Sequence, residues 1–322
     1  MREEVTKLSH SLNEKFRRKY LGAVETVKKV VFKGAGVAVV TPYTETGIDY
    51  KALAQLIDFN IDNGTDAIII CGTTGESATM TDEEHKEAIE FTIKHVNKRV
   101  PVIAGTGSND TIYAAQLSQH AEEAGADALL LVSPYYNKTS QKGLVEHFNY
   151  IADRVNIPII LYNVPSRTGV TIKPETYQAL SKHPNIVATK EASGDFSAIL
   201  KTRALCGDDL HMYSGNDDQI VPILAMGGMG VISVLSNVMP KETHEICKLF
   251  FEGRMQESSA LQIRLADIID ALFVEVNPIP VKTALRLMGY PVGELRRPLT
   301  DMEPNTLAQL KKALAAHGLI KN

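Results

Sequence analysis

From Gly34 onward the chain repeats one pattern: a short apolar run, a polar turn, then a segment whose apolar positions recur every three or four residues. The runs lie at 36–40 (GVAVV), 67–71 (AIIIC), 100–104 (VPVIA), 128–132 (ALLLV), 158–161 (PIIL), 186–189 (IVAT), 210–213 (LHMY) and 231–235 (VISVL). Most are apolar throughout rather than alternating, which marks strands buried on both faces of a parallel sheet. The segments at 51–63, 82–97, 112–124, 142–154 and 174–183 carry helical spacing. Thr81, with Glu84 three residues on, is a capping box that opens a helix, and Asn63-Gly64 and Ala124-Gly125 are stop signals. Eight strand–helix units predict an α/β fold, a (β/α)8 TIM barrel. Six or seven would suggest an open doubly wound sheet, and no G-x-G-x-x-G follows the first run to support one.

The two ends depart from this rhythm. After about Gly253 the strand signals stop, and 257–274, 280–287 and 304–317 read as helices. The expected division is an N-terminal helical extension at 1–31, a barrel at 32–253 and a C-terminal helical appendage at 254–322. In the extension Leu8, Leu12, Phe16, Tyr20, Val24 and Val27 form an apolar stripe, and residues 1–33 hold nine Lys/Arg against four Glu. An amphipathic helix packed on this subunit or a neighbour accounts for both features. A transit peptide is disfavoured by Glu3, Glu4, Glu14 and Glu25, and a basic nucleic-acid arm leaves the stripe unexplained.

Composition narrows the partners. A net charge of −4 over 322 residues gives no reason to expect nucleic acid or an anionic membrane. No run is long enough to span a bilayer. Cys71, Cys206 and Cys247 are scattered, with no C-x-x-C pair, so neither a disulfide framework nor a zinc site is expected, and a reducing cytoplasm suits them.

Barrels of this kind place chemistry where the strands end at their carboxyl side. There the sequence offers Thr73, Thr74 and Glu76 after the second run, Gly105–Asn109 after the third and Tyr135-Tyr136 after the fourth. Tyr162 and Arg167 follow the fifth, Lys190 the sixth, Ser214-Gly215-Asn216 the seventh, and Ile232 lies in the eighth. Alone, Lys190 reads as a solvated cation at a strand end. Among phenols, hydroxyls and a guanidinium at one mouth, it reads as an amine whose pKa burial would lower, freeing a nucleophile. Metal ligation lacks any His or carboxylate cluster with ligand spacing, and a pair of facing carboxylates for glycoside hydrolysis is missing. Imine chemistry on a carbonyl substrate fits what is present, with Tyr or Thr hydroxyls moving protons and Arg167 clamping a carboxylate.

Several of these stretches are familiar. GTTGESAT at 72–79, PVIAGTGSN at 101–109, SPYYN at 133–137, YNVPSRTG at 162–169 and KEASGD at 190–195 closely resemble the dihydrodipicolinate synthases. GGMGVISV at 227–234 and NPIPVKTAL at 277–285 continue the match. This family belongs to the pyruvate-dependent class I aldolase (N-acetylneuraminate lyase) superfamily. The resemblance implies a lyase of lysine and diaminopimelate biosynthesis that joins pyruvate to L-aspartate 4-semialdehyde, giving 4-hydroxy-tetrahydrodipicolinate. It implies no cofactor beyond a covalent imine on Lys190. Tyr162 would donate and accept protons. Thr73 would link it to Tyr136, offered across a tight dimer. Thr74 would bind the pyruvate carboxylate, Arg167 that of the semialdehyde, and Gly215 and Ile232 would shape the pocket. A homotetramer built from tight dimers is the implied assembly. Sugar-acid aldolases share the lysine and tyrosine, but the double threonine and the arginine resemble the synthase pattern. A non-catalytic ligand-binding barrel, with the extension as a regulatory arm, is the alternative of another class.

The resemblance also places Ser77, Ala78, His85, Asn109 and Tyr135 at a regulatory pocket for lysine. Asp82 and Tyr113, however, stand where the lysine-sensitive pattern has a histidine and a glutamate. Without the glutamate the effector's amine loses a charge-assisted partner. Lysine titrated into a steady-state assay is therefore expected to inhibit weakly or not at all; potent inhibition refutes this reading.

Overall fold

A computed structural model describes residues 28–321. Eight parallel strands close into a barrel: β1 (Gly34–Ala38), β2 (Ala67–Ile70), β3 (Val102–Gly105), β4 (Ala128–Val132), β5 (Ile159–Asn163), β6 (Ile186–Glu191), β7 (His211–Ser214) and β8 (Gly230–Ser233). Each pairs with its neighbour in sequence, and β8 pairs with β1 to complete the ring. The TIM-barrel expectation holds. The strands at the seam are displaced from the expected spans, with β1 starting two residues earlier and β8 ending two earlier, at Ser233.

Helices follow the strands in turn: α1 (Tyr50–Asp62), α2 (Asp82–Val96), α3 (Thr111–Ala124), α4 (Gln141–Ala152), α5 (Pro174–Leu180), α6 (Phe196–Cys206), α7 (Ile220–Ala225) and α8 (Pro240–Phe251). Five of them start at side chains that accept from otherwise unpaired amides. Asp49, Thr81, Asp110, Ser140 and Asp195 all do so, and Thr81 with Glu84 forms the full capping box. A small hairpin, Tyr43–Thr44 with Gly47–Ile48, precedes α1.

Two apolar layers result. One lies between strands and helices; the other fills the barrel's interior with Ala38, Ala67, Ile69, Ile103, Leu130, Ile160, Ala188, Tyr213 and Ile232 among others. The amino end of the barrel is plugged by Phe32. Its ring stacks on Tyr213 with centroids 4.3 Å apart, and the Tyr213 hydroxyl donates to the Phe32 carbonyl at 2.6 Å. Just before it, Lys28 donates to the carbonyls of His183 and Ile186, and residues 28–33 form no regular element. The rest of the expected N-terminal extension, residues 1–27, lies outside the described residues.

Beyond α8 come α9 (Met255–Arg264), α10 (Ala266–Leu272), α11 (Ile279–Leu287) and α12 (Pro304–Ala316). The single helix expected over 257–274 is two. Leu265 caps α9 and leads α10 outside helical geometry while staying buried, so the apolar spacing continues across a break in the backbone. α10 packs against α12, and α11 against both.

The barrel's seam depends on two glycines. At Gly230 φ is +152°, and an added Cβ would sit 1.8 Å from the Gly34 carbonyl oxygen; Gly34 itself has φ +126°. Neither position admits a side chain. Gly230→Ala is expected to cost about 3 kcal/mol or more. Gly207→Ala, at φ +53° but in open space, should cost only about 1 kcal/mol, near the usual strain of such a backbone. Chemical denaturation of both variants checks this, and equal losses would contradict the seam argument.

Candidate active site

Adjacent residues on β6 serve opposite faces. Outward, Thr189 and Glu191 are tied to the layer behind the sheet. Tyr177 on α5 shares a hydrogen bond with Thr189 at 2.9 Å and donates to Glu191 at 3.2 Å. Asn163 donates to both carboxylate oxygens of Glu191 at 3.1 and 3.2 Å, and the Ser193 amide donates at 2.8 Å. These bonds fix the register of the strand ends, because a slip of one residue would turn every side chain to the wrong face. Inward, Lys190 therefore stands level with Tyr162 of β5, its Cα partner in the ladder.

The Lys190 side chain projects into the carboxyl mouth, and the residue is only 6% exposed. Its amine lies 4.3 Å from the centre of the Tyr162 ring. Burial lowers the amine's pKa to about 8; the nearby Asp217 carboxylate opposes this and the Arg167 cation assists it. Asp217 is itself buried, with one oxygen accepting the amides of Val234 and Leu235 at 3.0 and 2.9 Å. The Tyr162 phenol is pushed up by burial, against the pull of Arg167 and a hydrogen bond from Thr73, so it stays protonated. A free amine beside a neutral phenol can add to a carbonyl while a proton is supplied and removed locally.

Small residues leave room at this level. A Cβ on Gly215 would lie 2.8 Å from the Ala192 Cβ and 3.2 Å from the Lys190 Cε, so any side chain there would push against the lysine. The resulting cavity, about 170 Å³, is lined by Thr73, Thr74, Tyr162, Val164, Arg167 and Lys190, with Gly215 and Asn277 at its edge.

Asn277, just before α11, was not singled out by sequence reasoning, yet it joins two of the residues that were. Its side-chain amide donates to the Thr74 hydroxyl at 3.0 Å, and its carbonyl accepts from Arg167 at 2.9 Å. The C-terminal helices thus reach into the barrel mouth and set the spacing of its two carboxylate-binding candidates. Asp217 and Phe273, the latter at the cavity's rim, were missed as well. The aspartate's only sequence signal was its position two residues after Gly215.

The other candidates divide. Ile232 is fully buried inside the barrel, and Val234 is the β8-side residue that reaches the cavity. Ser77, Ala78, His85 and Tyr135, with Tyr113, line a second cavity of about 450 Å³ that shares Thr73, Arg167 and Asn277 with the first. Asn109 is turned away from it, into a groove with Asn137 and His147. Tyr136 reaches neither cavity: it is 91% exposed and held at φ +68°. Among the described residues no group of three His, Cys, Asp or Glu is arranged to hold a metal, and no helix is long and apolar enough to cross a membrane.

Comparison with known proteins gives a consistent family. Residues 31–317 match the Dihydrodipicolinate synthetase family. The chain is 55% identical over 294 residues to the 4-hydroxy-tetrahydrodipicolinate synthase of Acetivibrio thermocellus, covering 91% of this chain and all of that one. It is 56% identical over 291 residues to the enzyme of the same name from Clostridium perfringens, covering 90% of this chain and all of the other. Among solved structures, the dihydrodipicolinate synthase of Aquifex aeolicus superposes with a TM-score of 0.88 at 46% identity, covering 90% of this chain and all of that one.

The electrostatics of Lys190 carry a signed prediction. Its reaction with a neutral amine-directed acylating reagent should rise about tenfold per pH unit and level off near pH 8. Arg167→Gln should move that limb to higher pH, since it removes a cation that disfavours the ammonium; Asp217→Asn should move it lower. Peptide mapping by mass reads the modified fraction. A limb near the ordinary lysine value of about 10.4 contradicts the burial argument.

Proposed function

The chain belongs to the Dihydrodipicolinate synthetase family, and from that premise we propose that it condenses pyruvate with L-aspartate 4-semialdehyde to give 4-hydroxy-tetrahydrodipicolinate. The observation that carries this reading is one small cavity holding a buried amine, a neutral phenol, a threonine pair and an arginine.

The Lys190 amine adds to the ketone carbon of pyruvate, and Tyr162 supplies a proton to the oxygen as it leaves as water. The resulting imine draws electrons from the methyl group, which gives up a proton and becomes an enamine. The enamine carbon then attacks the aldehyde of the second substrate, whose own amine finally displaces Lys190 as the ring closes. Atoms balance with water as the only other product of imine formation, and no cofactor is called for. Thr74 is suited to the pyruvate carboxylate, lying at the start of a turn of 3-10 helix, Thr73–Gly75, with its hydroxyl already oriented by Asn277. Arg167, at the outer side of the same cavity, suits the carboxylate of the semialdehyde. Thr73 bonds to Tyr162 and is the first link of a proton path outward.

That path needs a further group, and we assign it to Tyr136 of the partner subunit. A phenol 91% exposed on a left-handed backbone is a residue presented to something else, and a tight dimer would bring it over the neighbouring mouth. A homotetramer of two such dimers is the assembly we expect. The three cysteines are free and buried, which suits a reducing, cytoplasmic setting. Ile232 and Gly215 would shape the floor of the pocket, Gly215 by leaving Lys190 its space.

An assay with both substrates tests the reading: turnover is expected, with no cleavage of N-acetylneuraminate, and turnover of a sugar acid alone would overturn it. Arg167→Met should raise the KM for the semialdehyde roughly ten- to a hundredfold, since a charge-assisted pair is lost, and change that for pyruvate little. Tyr162→Phe should lower kcat by about two to four orders of magnitude.

A further inference from the structure

The turn that carries Thr73 and Thr74 is held from behind by an ion pair sealed inside the protein. Glu76, next but one to Thr74, takes a left-handed backbone with φ +56°. Its carboxylate is 2.6 Å from the amine of Lys282, and both side chains are cut off from solvent. The second carboxylate oxygen accepts the Arg296 amide at 2.9 Å, and Lys282 also donates to the Glu294 carbonyl at 2.7 Å. Arg296 continues the grip on the far side of the turn. It donates to the Thr79 carbonyl at 3.0 Å and makes a two-pronged pair with Glu84, at 2.6 and 2.5 Å, at the start of α2. The Tyr43 ring lies beneath both cations, 4.6 Å from the Lys282 amine and 3.9 Å from the Arg296 guanidinium.

Stability alone is a poor explanation for such a pair. Burying two charges costs about what their attraction returns, and apolar replacements of similar volume are often neutral or stabilising. What an ion pair with further hydrogen bonds does supply is a single geometry. Here that geometry fixes a non-glycine residue in a strained backbone conformation, within three residues of the hydroxyl that bonds Tyr162. The pair also bridges 206 positions of sequence, from the β2 turn to α11, the same helix that Asn277 leads.

We propose that Glu76 and Lys282 are positioning residues for the reaction, acting through the backbone of Glu76 to hold Thr73 and Thr74 in register with Tyr162 and the bound pyruvate. This rests on the reading of the cavity as a pyruvate-imine site. Arg167, by contrast, lies outside this turn and is held by the Asn277 carbonyl, so the Glu76 half of the pair acts on the pyruvate end of the pocket.

The test measures kcat, both KM values and Tm for two variants of the full chain beside the wild type. Glu76→Met/Lys282→Met removes both charges together and is expected to keep Tm within a few degrees while kcat falls about a hundredfold, the usual consequence of misplacing reacting groups by an ångström or so. Glu76→Gln keeps the side chain's shape and takes the carboxylate from Lys282, whose burial then favours the neutral amine. It should raise the KM for pyruvate about tenfold, leave that for the semialdehyde unchanged and lower kcat. Should the double variant fail to fold, that split in Glu76→Gln decides alone. Wild-type kinetics in either folded variant, or equal rises in both KM values, overturn the proposal and leave the proposed function standing. A wild-type protein without turnover overturns both.

Discussion

Everything at the mouth of this barrel depends on the cost of keeping a charge away from water. Among the described residues Lys190 is the one cation carried on the inward face of the strands, and its surroundings make the ammonium form expensive. The protein tolerates this because the alternative form, a free amine, is neutral and small. The same burial that lowers the amine raises the Tyr162 phenol, so a single physical effect favours the neutral form of both groups side by side. Asp217 limits how far the amine falls, and its carboxylate is the buried negative charge nearest to any cation formed there.

The second constraint is space. Large side chains fill the lower interior, with Phe32 and Tyr213 closing the amino end, while Gly215 and Ala192 thin the layer beside Lys190. The cavity is thus a gap in an otherwise solid core, and the C-terminal helices define its remaining wall. Asn277 spans Thr74 and Arg167, and Lys282 holds Glu76 at the end of the turn that carries Thr74. The appendage belongs to the cavity as much as to the fold: through Asn277 it sets how far apart Thr74 and Arg167 stand.

The barrel was legible in the sequence because parallel strands are covered on both faces. Their apolar runs stand out, and Thr81 with Glu84 marks a helix start through local bonds. Lys190, Tyr162, Thr73, Thr74, Arg167 and Gly215 were legible as strand-end residues, and the structure gathers them around one cavity. What escaped was everything decided across long sequence separations. Asn277 meets Thr74 across 203 positions, and Lys282 meets Glu76 across 206. The break at Leu265 escaped for another reason: apolar spacing persisted through it while the backbone turned. Tyr136 was legible as a residue of interest, and the structure adds that its own cavity is out of its reach.

The central claim is that Lys190, and no other lysine, becomes joined to pyruvate. Reduction with sodium borohydride in the presence of pyruvate, followed by peptide mapping, tests it most directly. The account predicts a reduced pyruvate adduct confined to the peptide bearing Lys190 and lost in Lys190→Ala. An unmodified Lys190, or an adduct that persists elsewhere in the variant, would contradict it.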